Sequence, residues 1–560
     1  MRFLSRKQSL VFRPQVTWML FLLLTTLANA MELHNSDRST LYADKPTVIE
    51  LFGSDLRDDK HIAARLWTSF PATVEDLDPD SKDRGRVRYK ITPTKPISGI
   101  VAIRGFNRNE VSQALMFFAT KRAGISPPEE HAEPLELPLT IDLRSAALGE
   151  QKIPINLQPG IPFVAEILGN RLGSEIDALL VLQTSDGEEL AFGDDHLITG
   201  SDPILRYESK VGGLHYLTVR DVEYRGGLRM HLRIDTESIS GVSFPSALSI
   251  GETRSVEVTP IHADTPLTSS IASIPAKSTP GVAGLSLADQ LVTVRQTNQT
   301  VYVEGDQTVV PIPAIYCGRL SEQNEMDQVS FAAIQGSKIR IDSLIHGGPF
   351  IGQIELFRGE QRIAQHHWGL DLNGYLNFTV PKTGLYRLEI KDCLNRTGHG
   401  MEYAISIRDD FTPAVLKLGN SKKRKKRRNE RPHRIAVDAG ESLEMNIRVD
   451  RRGVVGPIQL MASLDSVPCS PHAEIDEKKS DVDWAIKIPQ TVATPTLMHL
   501  EIRGFVQESN RILEIPLDLS EHSARDYKEV TPLPSLVNRI AIVVSPATPG
   551  TGNADQKENE

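Results

Sequence analysis

Cysteine is nearly missing: there are three in 560 residues. A disulfide-stapled scaffold needs far more, so buried apolar surface has to hold the chain together. Cys317, Cys393 and Cys469 leave two readings open, a Cys317–Cys393 bridge or buried free thiols. Aromatics are scarce at 6%, and past residue 30 no run reaches 18 uninterrupted apolar residues, which argues against an integral membrane protein crossing by helices. Glycine (39) and proline (35) are near average usage, which excludes collagen-like architecture. Catalytic signatures are missing as well. Gly284-Leu285-Ser286-Leu287-Ala288 fails the Gly-x-Ser-x-Gly pattern at its last position, and neither dinucleotide nor phosphate loops occur. The expectation is a chain that is not an enzyme and carries no catalytic residues or cofactor.

What is present begins with residues 1–30, which read as a secretory signal. Arg2, Arg6, Lys7 and Arg13 precede the apolar stretch Val16–Leu27, and Ala28-Asn29-Ala30 supplies the small-x-small cleavage pattern at Ala28 and Ala30. The expected location is outside the cytoplasm, in the periplasm or at the cell surface. Without that segment the formal charge of -9 becomes -13, a surface that does not favour nucleic acid.

Apolar residues at 40% and charged residues at 24% fit a globular chain, and its length fits several domains. Strand patterns dominate. Arg86–Ile91, Leu228–Ile234 and Leu443–Val449 alternate apolar and polar residues, as strands with one face in a core and one in water do. Helical periodicity over 11 or more residues is scarce. Turn clusters such as Ser185-Asp186-Gly187 separate the runs. The fold class is therefore all-β, as tandem antiparallel β-sandwiches.

An internal repeat recurs at an offset of 171 residues. Gly213-Leu214-His215-Tyr216-Leu217-Thr218-Val219-Arg220-Asp221 returns as Gly384-Leu385-Tyr386-Arg387-Leu388-Glu389-Ile390-Lys391-Asp392, and Arg225 and Arg396 keep the offset. Ile103-Arg104-Gly105-Phe106 is echoed by Ile502-Arg503-Gly504-Phe505. The expected organisation is a signal (1–30), sandwiches at 31–125 and 135–238, and a degenerate module or linker at 241–310. A further sandwich follows at 311–410, then a basic linker (421–434), a last sandwich (435–545) and a flexible tail (546–560). The Pro- and Glu-rich stretch from Gly124 to Pro138 reads as a linker too.

The repeat resembles the bacterial pre-peptidase C-terminal (PPC) domain, a jelly-roll-like sandwich found in exported proteins. Asp177–Leu182, Asp186-Gly187, Gly193-Asp194-Asp195 and Gly213–Asp221 carry the match, with His215 where an aromatic is usual. The second copy keeps Gly384–Leu388 but has Gln365-His366-His367-Trp368 in place of the acidic loop. Glu50–Leu56 with Leu66-Trp67, and Gly440–Val449 with Gly456–Leu460, resemble Ig-like (IPT-type) modules. The resemblance implies an exported, non-catalytic binding or structural protein of the bacterial cell envelope. Its implied partner is an envelope protein or polysaccharide. An accessory chain for a secreted peptidase or glycan hydrolase is the alternative.

Two groups of residues invite a ligand. Asp194, Asp195 and Asp202, with Asp177 and Asp186 nearby, are calcium candidates in the first copy, since calcium takes six to eight oxygens; a solvated acidic loop is the plainer reading. The second copy lacks those carboxylates, so calcium is expected only in the first. The run Lys422-Lys423-Arg424-Lys425-Lys426-Arg427-Arg428, taken with Arg431 and Arg434 against Glu430, carries +8. It is a candidate contact for an anionic polymer, against the plainer reading of an inter-domain linker. No aromatics interleave it, which weighs against base stacking. His366 and His367 are neighbours on a strand pattern and so point to opposite faces, a poor start for a shared metal.

Overall fold

The computed structural model describes residues 31–122, 124–127, 133–196, 199–236, 240–261, 270–274, 281–287, 290–306, 308–344, 351–367, 375–398, 401–419, 431–488, 492–508, 511–527, 530 and 539–547. The signal-like segment with Ala28 and Ala30, and the run Lys422–Arg428, lie outside them.

Alternation builds the strands. In Arg86–Pro93, Val87, Tyr89 and Ile91 are buried while Arg86 and Arg88 are exposed. Among the described residues such strands pair into five units, four of two sheets each and the fifth of one continuous ten-stranded sheet. The first sets Glu32–Ser36, Thr47–Ser54, Arg86–Pro93 and Ala72–Asp76 against Thr40–Tyr42, Leu115–Thr120, Gly99–Phe106 and Arg65–Thr68, around Ile49, Leu51, Ile103 and Phe117. The third is smaller. It has three strands on three, around Leu248, Val256, Val258, Val292 and Val294. Strand pairing is mostly antiparallel, as expected. Six short pairings run parallel, such as Thr40–Tyr42 beside Leu115–Thr120.

The second and fourth units share one topology, which is the structural content of the repeat. In the second, Gly213–Asp221 lies between Gln151–Leu157 and Ala178–Thr184, with Glu189–Gly193 at the edge. In the fourth, Gly384–Asp392 lies between Asp327–Ala333 and Gly352–Arg358, with Gln361–His367 at the edge. Each repeat strand ends on the same device. Asp221 accepts hydrogen bonds from the Arg225 backbone and guanidinium, and Asp392 does so from Arg396. The backbone N–H groups of Asp177 and Ile351 complete the two carboxylate sites, at 3.0 and 2.9 Å. Both aspartates are pulled below the usual carboxylate range by these donors, against their burial.

The structure revises several expectations. The basic stretch 421–434 is not a connector between units. The strand before it, Val415–Gly419, pairs with Ser442–Asp450, and the strand Arg434–Asp438 after it pairs with Ile540–Ser545. The fifth unit therefore starts near Phe411, which bridges Glu514, and the run joins two strands within it. Within the stretch expected to be a linker, Ile125 and Leu135 are likewise attached to the second unit, through bridges to Ile141 and Ile155.

One presumed water face is covered, and a second is interrupted by a buried polar residue. In Arg229–Asp235, Met230, Leu232 and Ile234 fill the core, but Arg229 and His231 on the other face are buried too. The first unit packs there: Arg229 lies over the Phe117 ring and His231 beside Phe118. In Ser442–Asp450, Asn446 is buried and donates to Asp481 and Asp483, both at 2.9 Å. Gly419 on the neighbouring strand makes room, because a Cβ there would meet Asn446 Oδ1 at 1.8 Å.

Helix among the described residues is the α-helix Ser520–Tyr527 and a single 3-10 turn, Asn170–Leu172. Among the described residues no helix is long and apolar enough to cross a membrane. Tyr527 plugs a cluster containing Met116 and Phe118 of the first unit, Leu168 and Leu172 of the second, and Leu291 of the third. Its hydroxyl both donates to the Ala114 carbonyl and accepts from the Ala114 N–H, each at 3.0 Å. The fifth unit thus folds back onto the first.

Candidate functional site

The edge of the second unit gathers part of the expected acidic set. Asp194 and Asp195, which follow the edge strand, meet Asp177, which precedes Ala178–Thr184; the three carboxylates lie within 4.8 Å of one another. Asp194 and Asp195 are exposed and Asp177 is half-buried. Burial, then the charges of Asp195 and Asp194, hold the Asp177 carboxyl above its ordinary pKa. Such a trio offers oxygens to a hard cation, although solvent also screens charges this exposed. Asp202 does not join it. That side chain is fully buried and accepts from the N–H groups of Gly169 (2.8 Å), Asn170 (2.7 Å) and Arg171 (3.1 Å), and from Arg171 Nε (2.7 Å). A carboxylate with four donors is an internal cap, which corrects its place among the calcium candidates.

Other charged and polar pairs, some buried and some at the surface, concentrate where units meet. Between the first and second, Asp142 accepts from the Thr40 hydroxyl at 2.7 Å and pairs with His231 Nδ1 at 3.0 Å. Between the second and third, Glu166 accepts from the Ser240 N–H at 3.0 Å, while Arg171 donates to the Ser240 hydroxyl at 2.7 Å. Arg319 joins the third to the fourth, with Glu257 at 3.1 Å on one side and Glu402 at 3.0 Å on the other. Arg511 of the fifth reaches Asp409, at the end of the fourth, at 2.6 Å. Arg434 then closes the circuit onto Glu32 of the first, and Arg108 meets Asp438 at 3.1 Å. Sequence pattern did not reveal these contacts, because the partners are far apart in the chain and most lie in different units.

A third feature lies in the fourth unit. Glu304, on the turn after Thr300–Val303, meets Glu325 and Asp327 with carboxylate oxygens within 4.8 Å of one another. Glu304, Thr308, Tyr316, Met326 and Asp327 line a pocket of about 350 Å³. Asp327 is buried and accepts from the Tyr403 hydroxyl at 2.5 Å. Burial and the nearby glutamates raise its carboxyl to about 7, against the pull of the Tyr403 hydrogen bond. Gly318 admits the Tyr403 ring, since a Cβ there would lie 2.2 Å from the hydroxyl. The acidic spacing Glu325-x-Asp327 was visible in sequence; its meeting with Glu304 was not.

The cysteines are all free thiols, so Cys317 and Cys393 do not pair. Cys317 is buried between the third and fourth units with Ala247, Ile315 and Ala404, and burial pushes its thiol up to about 11. Cys393 lies 3.5 Å from His367 Nδ1. Burial and the Asp392 charge raise this thiol above its ordinary value, the reverse of what an activated nucleophile needs. His366 and His367 stand on Gln361–His367, half-buried and exposed in turn; Trp368 lies outside the described residues.

No protein-family model matches the chain, and no curated protein matches it. Among solved structures it is similar to the CUB1-EGF-CUB2 domains of human MASP-1/3 (9% identity, covering 48% of this chain and 98% of that one, TM-score 0.14). It is also similar to fibronectin(III)-like modules of Clostridium thermocellum CbhA (9%, 40% and 94%, TM-score 0.14) and to a tetra-tandem repeat from the extending region of a large adhesion protein (10%, 87% and 97%, TM-score 0.12). Likenesses this shallow carry no argument; the β-sandwich class rests on the strand pairing itself.

Proposed function

We propose that the chain is a non-catalytic binding and structural protein, exported and held in the bacterial cell envelope or at its surface. One observation carries the reading: polar and charged contacts, several of them buried, bridge each unit to the next and the last to the first, so the fold invests its polar chemistry in the joints between units. Contact surfaces are then left to end loops and exposed faces. The signal-like residues 1–30 and the PPC-like repeat support the exported, envelope-associated part of the proposal.

The test is direct. The purified chain, immobilised, is expected to retain envelope polysaccharide or a surface protein saturably and to leave a broad panel of peptidase and glycosidase substrates unchanged. Turnover on that panel, lost on substituting a polar residue of this chain, would overturn the proposal. Stoichiometric recovery of a hydrolase would move it to the accessory role.

A further inference from the structure

The carboxylate trio of the fourth unit differs from the other buried acids. Asp202, Asp221 and Asp392 face an arginine, and Asp142 faces a histidine. Glu166, Glu389 and Glu402 also have arginine partners. Among the described residues, Asp327 is the buried carboxylate with no cationic partner. Its neighbours add negative charge instead of balancing it. Glu304 accepts from the Arg319 backbone N–H at 3.1 Å, and Glu325 accepts from the Glu322 N–H at 2.7 Å. The Arg319 guanidinium is already held by Glu257 and Glu402.

A second observation is independent of the acids. Tyr316 is 97% buried, lines the same pocket, and its phenol has no hydrogen-bond partner among the described residues. The ring is buried while the hydroxyl opens onto the pocket, so its hydrogen-bond partner has to come from whatever occupies that pocket.

We propose that Glu304, Glu325 and Asp327 bind a calcium ion at this pocket, with the Tyr316 phenol hydrogen-bonded to one of its waters. Calcium accepts irregular sets of six to eight oxygens and tolerates several waters, which suits three carboxylates beside an open pocket; magnesium demands a stricter octahedron. The ion would pin the turn after Thr300–Val303, the entry to the fourth unit, onto the strand Asp327–Ala333. The site lies in the repeat copy from which the Asp194–Asp195 loop is missing, and uses different positions.

Terbium, a luminescent calcium substitute, tests this on the purified chain, because Tyr316 and Tyr403 can sensitise an ion bound beside them. Tyrosine-excited terbium emission is expected, displaced by calcium with a midpoint on the order of 10⁻⁴–10⁻³ M, typical of extracellular modules. Glu304→Gln with Glu325→Gln changes residues that are not buried, so the fold is retained, and should weaken calcium at least tenfold. Asp194→Asn with Asp195→Asn should leave the signal in place. The proposal is overturned by no calcium-displaceable emission up to about 10 mM, well past that range. It is equally overturned by wild-type affinity in the Glu304/Glu325 variant, or by loss of the signal in the Asp194/Asp195 variant.

Discussion

Arg434 and Glu32, 402 positions apart, meet as a two-pronged pair, with each guanidinium nitrogen 2.8 Å from a carboxylate oxygen. The Arg434 side chain is 2% exposed, and Asp526 shares it at 3.3 Å. Removing one partner of a buried pair strands the other, at about 3–5 kcal/mol. Arg434→Ala is therefore expected to lower unfolding free energy by that order in urea titration. Small-angle scattering should show a larger radius of gyration as the fifth unit leaves the first. An unchanged radius would mean that the remaining contacts, Tyr527 with its cluster, Arg108–Asp438 and Trp67–His499, suffice to hold the joint.

Acid should loosen the same joint. His499 packs edge-on against Trp67 of the first unit, 4.8 Å between ring centres, with Arg104 and Arg539 facing it and Asp465 at 3.8 Å. Burial first, then the two arginine charges, lower its pKa to about 3. The unfolded chain, near 6.5, binds the proton more readily, so this contribution is complete above pH 6.5 and is lost as pH falls towards 3. The full loss is roughly 4–5 kcal/mol at 1.36 kcal/mol per pH unit. Thermal unfolding of His499→Gln should be less sensitive to pH than wild type across that window.

The two repeat copies should respond alike to the same change. Asp221→Ala and Asp392→Ala each remove a buried carboxylate that accepts from an arginine and from backbone N–H groups. Each should cost about 3 kcal/mol, measured by chemical denaturation. A large difference between them would mean that the shared topology conceals different roles for the turn.

Neighbouring acids on the second unit should behave oppositely. Asp202→Ala leaves three N–H groups and Arg171 without their acceptor and should lower stability by at least about 3 kcal/mol. Asp194→Asn changes an exposed carboxylate and should stay within about 0.5 kcal/mol. Equal effects would contradict the division drawn between them.

The basic run gives a physical test of unit boundaries. Cutting within Lys422–Arg428 by brief trypsin treatment should yield two fragments that still elute together, because the strands on either side pair within one unit. Separation without denaturant would favour the linker reading. Replacement of the run by Ser-Gly should lower the salt needed for elution from heparin, if the run contacts anionic polymers.

How far the chain could be read from its residues depended on what each residue faces. Val87, Tyr89 and Ile91 declare a strand and its core side, because their neighbours are local. The repeat at Gly213 and Gly384 announced two units of one topology, down to the Asp–Arg turn. Arg229, His231 and Asn446 could not be placed, since an alternating strand looks the same whether water or another unit covers its polar face. Asp202 looked like a ligand because its partners, Gly169 to Arg171, lie some thirty residues away. Glu304 and Asp327 met only once strands had paired.

Both termini of the described chain are anchored in one joint: the Met31 N–H donates to Glu110 at 2.7 Å, and the Pro546 carbonyl accepts from Arg108 at 2.9 Å. Beads on an open string gain reach with every bead added. A necklace fastened at its clasp gains none, because its last bead returns to its first.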